Sequence, residues 1–164
     1  SVSPITTHLP LKQVHKCISR KKIINQVKLI KNFYIKKFKK NPKIAITGLN
    51  PHCESNYKSS EEDRIIKPAI KSLINLGYHV KGPFAADTIF MKENSKNFNV
   101  IVGMYHDQVL TPMKSSFGFN AINITLGLPF IRISPDHGPN VQMLGKNLSD
   151  PKSLIESLKF LNNK

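Results

Sequence analysis

The sequence predicts an α/β fold in which helices flank a sheet that is at least partly parallel. Two short apolar runs, Lys43–Thr47 and Val100–Val102, have the length and β-branched content of buried strands. Before, between and after them lie longer segments whose apolar residues recur at helical spacing. Strands that alternate with helices of this length need crossover connections, and crossovers produce parallel pairing.

In chain order, Ser1–Thr7 reads as a strand entering a polar turn at His8. Val14 and Ile18, then Ile24, Val27, Ile30, Tyr34 and Phe38, predict two helices with a break near Ser19–Lys22. Asn41-Pro42 ends the second, because a residue before proline is pushed out of the helical region. The strand Lys43–Thr47 follows and leaves through the turn Gly48-Leu49-Asn50-Pro51-His52. Ser59-Ser60-Glu61-Glu62 has the cap-plus-acid pattern of a helix start. Ile65, Ile66, Ala69, Leu73 and Leu76 supply that helix's apolar face, and Gly77 stops it.

Tyr78-His79-Val80 leads to the turn at Gly82-Pro83, with Asp87–Phe90 beyond a second turn. Val100–Val102 then gives way abruptly to the polar cluster Tyr105-His106-Asp107-Gln108. Two further apolar runs, broken by Gly and Pro, extend to Arg132. Another turn is expected at Asp136-His137-Gly138-Pro139. A final helix after Pro151 carries Leu154, Leu158 and Leu161 on one side. No internal repeat or low-complexity linker divides the chain.

At 164 residues the chain can bury a proper core. It has no apolar run of membrane-spanning length, and its N-terminus lacks the basic and apolar regions of a secretion signal. Two cysteines outside any CxxC pair, Cys17 and Cys53, make no disulfide framework, so a reducing cytoplasm is the expected compartment. Cys53 reads as a passive small residue. The absence of an initiator Met, with a strand at residue 1, suggests a fragment.

The net charge of +15 raises nucleic acid as a partner. No acidic residue precedes Glu54, while lysines crowd from Lys12 to Lys43. These lysines are not interleaved with aromatics or Gly/Arg repeats, so a solvated helical face is the favoured reading. A steep linear loss of DNA affinity with salt on logarithmic axes would mark the nucleic-acid alternative.

Three histidines recur just beyond strands: His8, His52 and His106. Neutral imidazole is a good donor to zinc and other first-row divalent ions, and three protein ligands leave open positions for substrate. Lys114, Asn123 and Arg132 offer two fixed positive charges and an amide, which suit an anionic, oxygen-rich ligand. Neither GxxxxGK[ST] nor GxGxxG occurs, so a nicotinamide cofactor would need something other than the usual dinucleotide fingerprint.

Taken together, GLNPH (48–52), GPFAADT (82–88), MYHDQ (104–108), NITLGLPFIRIS (123–134) and DHG (136–138), with THLPLK (7–12), resemble the 4-hydroxythreonine-4-phosphate dehydrogenase family of pyridoxal phosphate biosynthesis. The resemblance runs in order over nearly the whole chain and corresponds to the C-terminal half of the family's usual length. It implies an isocitrate/isopropylmalate dehydrogenase-like α/β fold, with a mixed sheet flanked by helices. Residues 1–164 would be the C-terminal part of a two-domain subunit that works as a homodimer.

It further implies NAD or NADP as cofactor, a divalent metal (Zn, Mg, Co or Mn) and a small phosphorylated amino-acid substrate. The expected reaction is oxidation and decarboxylation of 4-phosphooxy-L-threonine to 3-amino-2-oxopropyl phosphate. A related dehydrogenase acting on another phosphorylated hydroxy acid is the alternative. By the same resemblance the metal ligands are His8, His52 and His106, and the substrate is held by Lys114, Asn123 and Arg132. Asp136, His137 and Gly138 begin a cofactor-side loop that continues through Gly145-Lys146 to Asp150-Pro151. Asp87 and Asp107 are both candidates for proton handling.

Three departures from the family pattern stand out. Val109 replaces a glycine after HDQ, Cys53-Glu54-Ser55 replaces a glycine-rich run, and Pro139 stands where Ser or Thr is common. Val109 would be unfavourable if the backbone there needed φ > 0. Pro139 removes a hydroxyl and an N–H from the cofactor side.

Overall fold

The computed structural model describes residues 1–53, 59–138 and 141–162. The chain forms two compact units, Ser1–Pro112 and Met113–Lys164. The first is built on four strands, β1 (Val2–Pro4), β2 (Ile44–Thr47), β3 (Val80–Phe84) and β4 (Val100–Gly103). Their spatial order is β1-β4-β2-β3, and every neighbouring pair is parallel. All four residues of β2 and of β4 are buried, which is why these two segments read as unbroken apolar runs.

Two helices precede β2: α1 (Leu11–Cys17) and α2 (Arg20–Phe38). The break between them is fixed by Ser19, whose hydroxyl accepts the Lys22 N–H at 3.2 Å and caps α2. α2 buries Ile23, Val27 and Ile30, one stripe at helical spacing. It ends before Asn41-Pro42, at a left-handed Lys39 whose N–H returns to Ile35 O. After β2 comes α3 (Lys67–Asn75), entered through a π-helical turn at Glu62–Ile66. α3 buries Ala69, Ile70 and Leu73 and terminates at Gly77, where φ is 76°. Short helices α4 (Ala86–Ile89) and α5 (Lys92–Ser95) separate β3 from β4.

The residues after β4 differ from the sequence reading. His106–Phe117 forms a 12-residue helix, α6, with Pro112 inside it. A polar opening and an internal proline hid this helix. Val109 is fully buried in its first turns and needs no positive φ. It explains Gly103 instead: a Cβ at Gly103 would stand 2.3 Å from Val109 Cγ1.

The second unit holds β5 (Ile122–Thr125) and β6 (Arg132–Pro135), an antiparallel pair, with α7 (Lys152–Asn162) packed on both strands. Both strand senses are therefore present, but in separate sheets rather than one mixed sheet, because the antiparallel pair belongs to its own compact unit. α7 turns its serines inward, not its leucines. Ser153 Oγ donates to Ala121 O at 2.6 Å and accepts the Asp136 N–H at 2.9 Å, while Leu154, Leu158 and Leu161 stay about half exposed. Among the described residues no helix is long and apolar enough to cross a membrane.

Candidate active site

In a parallel sheet all strands end at the same edge, and open α/β folds place ligands beyond that edge. His8, His52 and His106 follow β1, β2 and β4, which are adjacent in the order β1-β4-β2. The ends of these strands are bound together by buried polar groups. Thr6 Oγ1 donates to Met104 O at 2.8 Å, tying the exit of β1 to that of β4. Gln108, in the first turn of α6, accepts from Thr47 Oγ1 at 2.9 Å and from Met104 N–H at 2.7 Å. Its amide nitrogen donates to Gly48 O at 2.8 Å. One side chain thus joins the exits of β2 and β4.

His8 and His106 are brought close, with ring centroids 5.6 Å apart. His106 Nδ1 lies 2.7 Å from Asp107 Oδ1. In the tautomer with the proton on Nδ1, that bond leaves Nε2 to face an ion, as in carboxylate–histidine–metal arrangements. His52 is exposed on the turn Pro51–Cys53, which packs against α4. It is not gathered with the other two into a closed cluster: among the described residues no group of three or more His, Cys, Asp or Glu is assembled to hold an ion. The donor chemistry nevertheless fits a divalent metal, since three imidazoles leave neighbouring strand ends and one is already oriented by a carboxylate. His8 and His52 both adopt left-handed backbone, with φ of 54° and 57°, and Cys53 follows at 59°. Such conformations in non-glycine residues persist where surrounding bonds enforce them, often at functional sites.

Asp87 is exposed on α4, and its charge reaches Cys53. Cys53 is buried, and burial pushes its thiol up, with Glu62 and Asp87 adding to the effect against a bond from the Gly48 backbone. A thiol so placed is a poor nucleophile.

In the second unit Asn123 pairs with Ser134 and Thr125 with Arg132 across β5–β6. Directly opposed residues share a face, so Asn123 and Arg132 stand on the same exposed side of the hairpin. Arg132 donates to Thr125 Oγ1 at 2.8 Å. Lys114 Nζ lies 3.0 Å from Asp136 Oδ2, which joins an expected substrate-side cation to an expected cofactor-side carboxylate. His137 stacks edge-on to Phe119 at 6.0 Å, and its Nδ1 is 3.2 Å from Gly138 O. Farther along the expected cofactor loop, Met143, Leu144, Gly145, Asn147 and Ser149 line an open depression of about 450 Å³. Pro139 and part of the run after Cys53 lie outside the described residues.

The sequence reading missed Glu62, which it took as a helix-start acid. Glu62 is wholly buried, and its Oε1 accepts the Leu49 and Asn50 N–H groups at 2.7 and 2.8 Å. Its Oε2 accepts Asn50 Nδ2 at 2.8 Å. Burial by itself would raise the Glu62 carboxyl, but the donors from Asn50 and Leu49 outweigh it and hold the group below the usual carboxylate range. Gln108 was noticed only as part of a polar cluster. No sequence signal marked either as a brace, since both roles depend on what the fold brings near.

The comparisons with known proteins agree in kind. The family model described as "Pyridoxal phosphate biosynthetic protein PdxA" matches residues 1–161. A 4-hydroxythreonine-4-phosphate dehydrogenase from a Sulfurihydrogenibium species is 48% identical over 161 residues, covering 97% of this chain and 49% of the relative. One from Bradyrhizobium diazoefficiens is 39% identical over 162 residues, covering 98% of this chain and 47% of its own length. The crystal structure of 4-hydroxythreonine-4-phosphate dehydrogenase from Klebsiella pneumoniae superposes with a TM-score of 0.84 at 32% identity, over 97% of this chain and 49% of that one. The chain spans about half the length of these relatives. Motifs, fold and family match coincide over nearly every residue, and the chain belongs to the PdxA family of pyridoxal phosphate biosynthetic proteins.

Proposed function

We propose that the protein containing this chain is an NAD(P)- and divalent-metal-dependent dehydrogenase. Its substrate would be 4-phosphooxy-L-threonine, which is oxidised and decarboxylated to 3-amino-2-oxopropyl phosphate. The observation that carries this reading is the His8–His106 pair at the exits of adjacent parallel strands, with His106 already oriented by Asp107. In this reading His8, His52 and His106 hold the ion, which supplies Lewis acidity toward the substrate's hydroxyl and carboxylate oxygens.

The chain's own residues do the rest. Lys114 and Arg132 hold the substrate's anionic groups and Asn123 an oxygen, so that the reacting carbon is fixed in one orientation. A bound nicotinamide would supply the hydride acceptor, and a carboxylate of the chain would take the proton from the substrate's hydroxyl. Asp107 is engaged with His106 Nδ1, which favours Asp87 for the proton and Asp107 for orientation. The resulting β-keto acid loses carbon dioxide, the C–C bond electrons pass to the carbonyl, and a proton returns to carbon. Asp136, His137 and Gly138 lie on the cofactor side. Exposed apolar residues of the second unit, among them Phe130, Val141 and Leu144, support a homodimer.

The test uses the purified full-length protein with substrate, either nicotinamide cofactor and a divalent metal. NAD(P)H and carbon dioxide should form together, and chelation by EDTA should stop both. Turnover that persists after complete removal of metal would contradict the role given to the histidines. Preference for a different phosphorylated hydroxy acid would move the assignment to a related dehydrogenase.

A further inference from the structure

Two of the three expected metal ligands sit on backbone that L-residues rarely adopt, so something must hold it there. For His52 the structure shows what does. The turn that carries it begins at Gly48, where an added Cβ would lie 2.8 Å from Cys53 Sγ and 3.0 Å from Glu62 Oε1. The loop is thus folded tightly over the Glu62 carboxylate. That carboxylate takes hydrogen bonds from Leu49 N–H, Asn50 N–H and Asn50 Nδ2 within three residues of His52. Asn50 Nδ2 also reaches Glu61 Oε2 at 3.0 Å. Glu62 itself lies in the π-helical turn before α3, a local widening of the helix that recurs at functional sites. On the other side, Gln108 fixes Gly48 O.

We infer that Glu62 is a positioning residue for His52: its buried carboxylate holds the Gly48–Cys53 turn in the left-handed course that presents the imidazole to the metal. This rests on the reading of His8, His52 and His106 as the ligands of one ion. Charge-assisted bonds from two backbone N–H groups are strong and directional, and they act on the peptide units just before the ligand. Partners that orient a metal ligand typically change affinity about 10–100-fold when removed.

The test is Co²⁺ binding to the purified full-length protein, read by calorimetry and by the visible absorption of the bound ion, at a temperature where every variant is folded by circular dichroism. Glu62→Gln keeps the side-chain shape and one acceptor oxygen, but sets an amide N–H₂ against Asn50 Nδ2. Co²⁺ affinity should fall about 10–100-fold in that variant, with an altered absorption spectrum. In a His52→Ala background the same change should cost no further affinity, because the brace acts only through His52. A general loss of structure would instead lower affinity in both backgrounds.

If Glu62→Gln does not fold, Asn50→Ala decides. It removes the bonds to Glu62 Oε2 and Glu61 Oε2, keeps both backbone bonds, and should lower affinity several-fold. Unchanged affinity in Glu62→Gln, or in Asn50→Ala where that variant decides, overturns the inference while His52→Ala still weakens binding. Unchanged affinity in His52→Ala overturns the underlying ligand assignment as well.

Discussion

Replacing Gln108 by Leu should destabilise the protein by roughly 2 kcal/mol or more, because it strands at least two buried backbone groups at once. Met104 N–H, the Thr47 hydroxyl and Gly48 C=O all use the Gln108 amide, and Thr47 and Met104 are wholly buried. Each unsatisfied buried group costs about 1–3 kcal/mol. The Thr47 hydroxyl can rotate toward another acceptor, so the two backbone groups set the lower bound. The check is urea unfolding: the midpoint should fall with the slope unchanged, as expected when stability alone is altered. A loss under about 1 kcal/mol would mean that the strand exits are not joined through this side chain.

If the full-length protein has the proposed activity, replacing Arg132 by Lys should lower its kcat/KM by roughly 10–100-fold, with little change in stability. Arg132 is exposed and held in place by its bond to Thr125 Oγ1 across the hairpin. A planar guanidinium anchored at one N–H can still present a second donor pair to a phosphate or carboxylate. An ammonium bonded to the same hydroxyl becomes a point charge without that fork. Hydrogen bonds to charged groups are worth about 1.5–3 kcal/mol, which corresponds to the stated range. Steady-state kinetics with varied substrate would measure it, and unchanged kcat/KM would remove Arg132 from the substrate site.

Much of this was legible from residues alone, and the exceptions have physical causes. β2 and β4 were visible because strands covered on both faces must be apolar throughout. The α1–α2 break was visible because serine is a strong cap. α6 was not, since its first residues are polar and Pro112 interrupts its pattern. The division into two units falls inside that same helix, after Pro112, where no Gly- or Ser-rich stretch marks it. In α7 the leucine stripe was real but faces outward, because Ser153 supplies hydrogen bonds that the hairpin needs. That His8, His52 and His106 each follow a strand was legible too, because that setting is a pattern local in sequence. The roles of Glu62 and Gln108 could not be read, because each acts on groups distant in sequence, Glu62 on the backbone of residues 49–50 and Gln108 on the Thr47 hydroxyl and Gly48 C=O.

The central claim is that His8, His52 and His106 converge on one divalent ion from three adjacent strand ends. Anomalous diffraction from crystals of the full-length protein grown with Zn²⁺ tests it most directly. The account predicts one ion with three imidazole nitrogens at about 2.0–2.1 Å. His106 should bind through Nε2, with Nδ1 still on Asp107. An ion bound by His8 and His106 alone, with the His52 ring turned to the opposite face of a well-ordered turn, would contradict it.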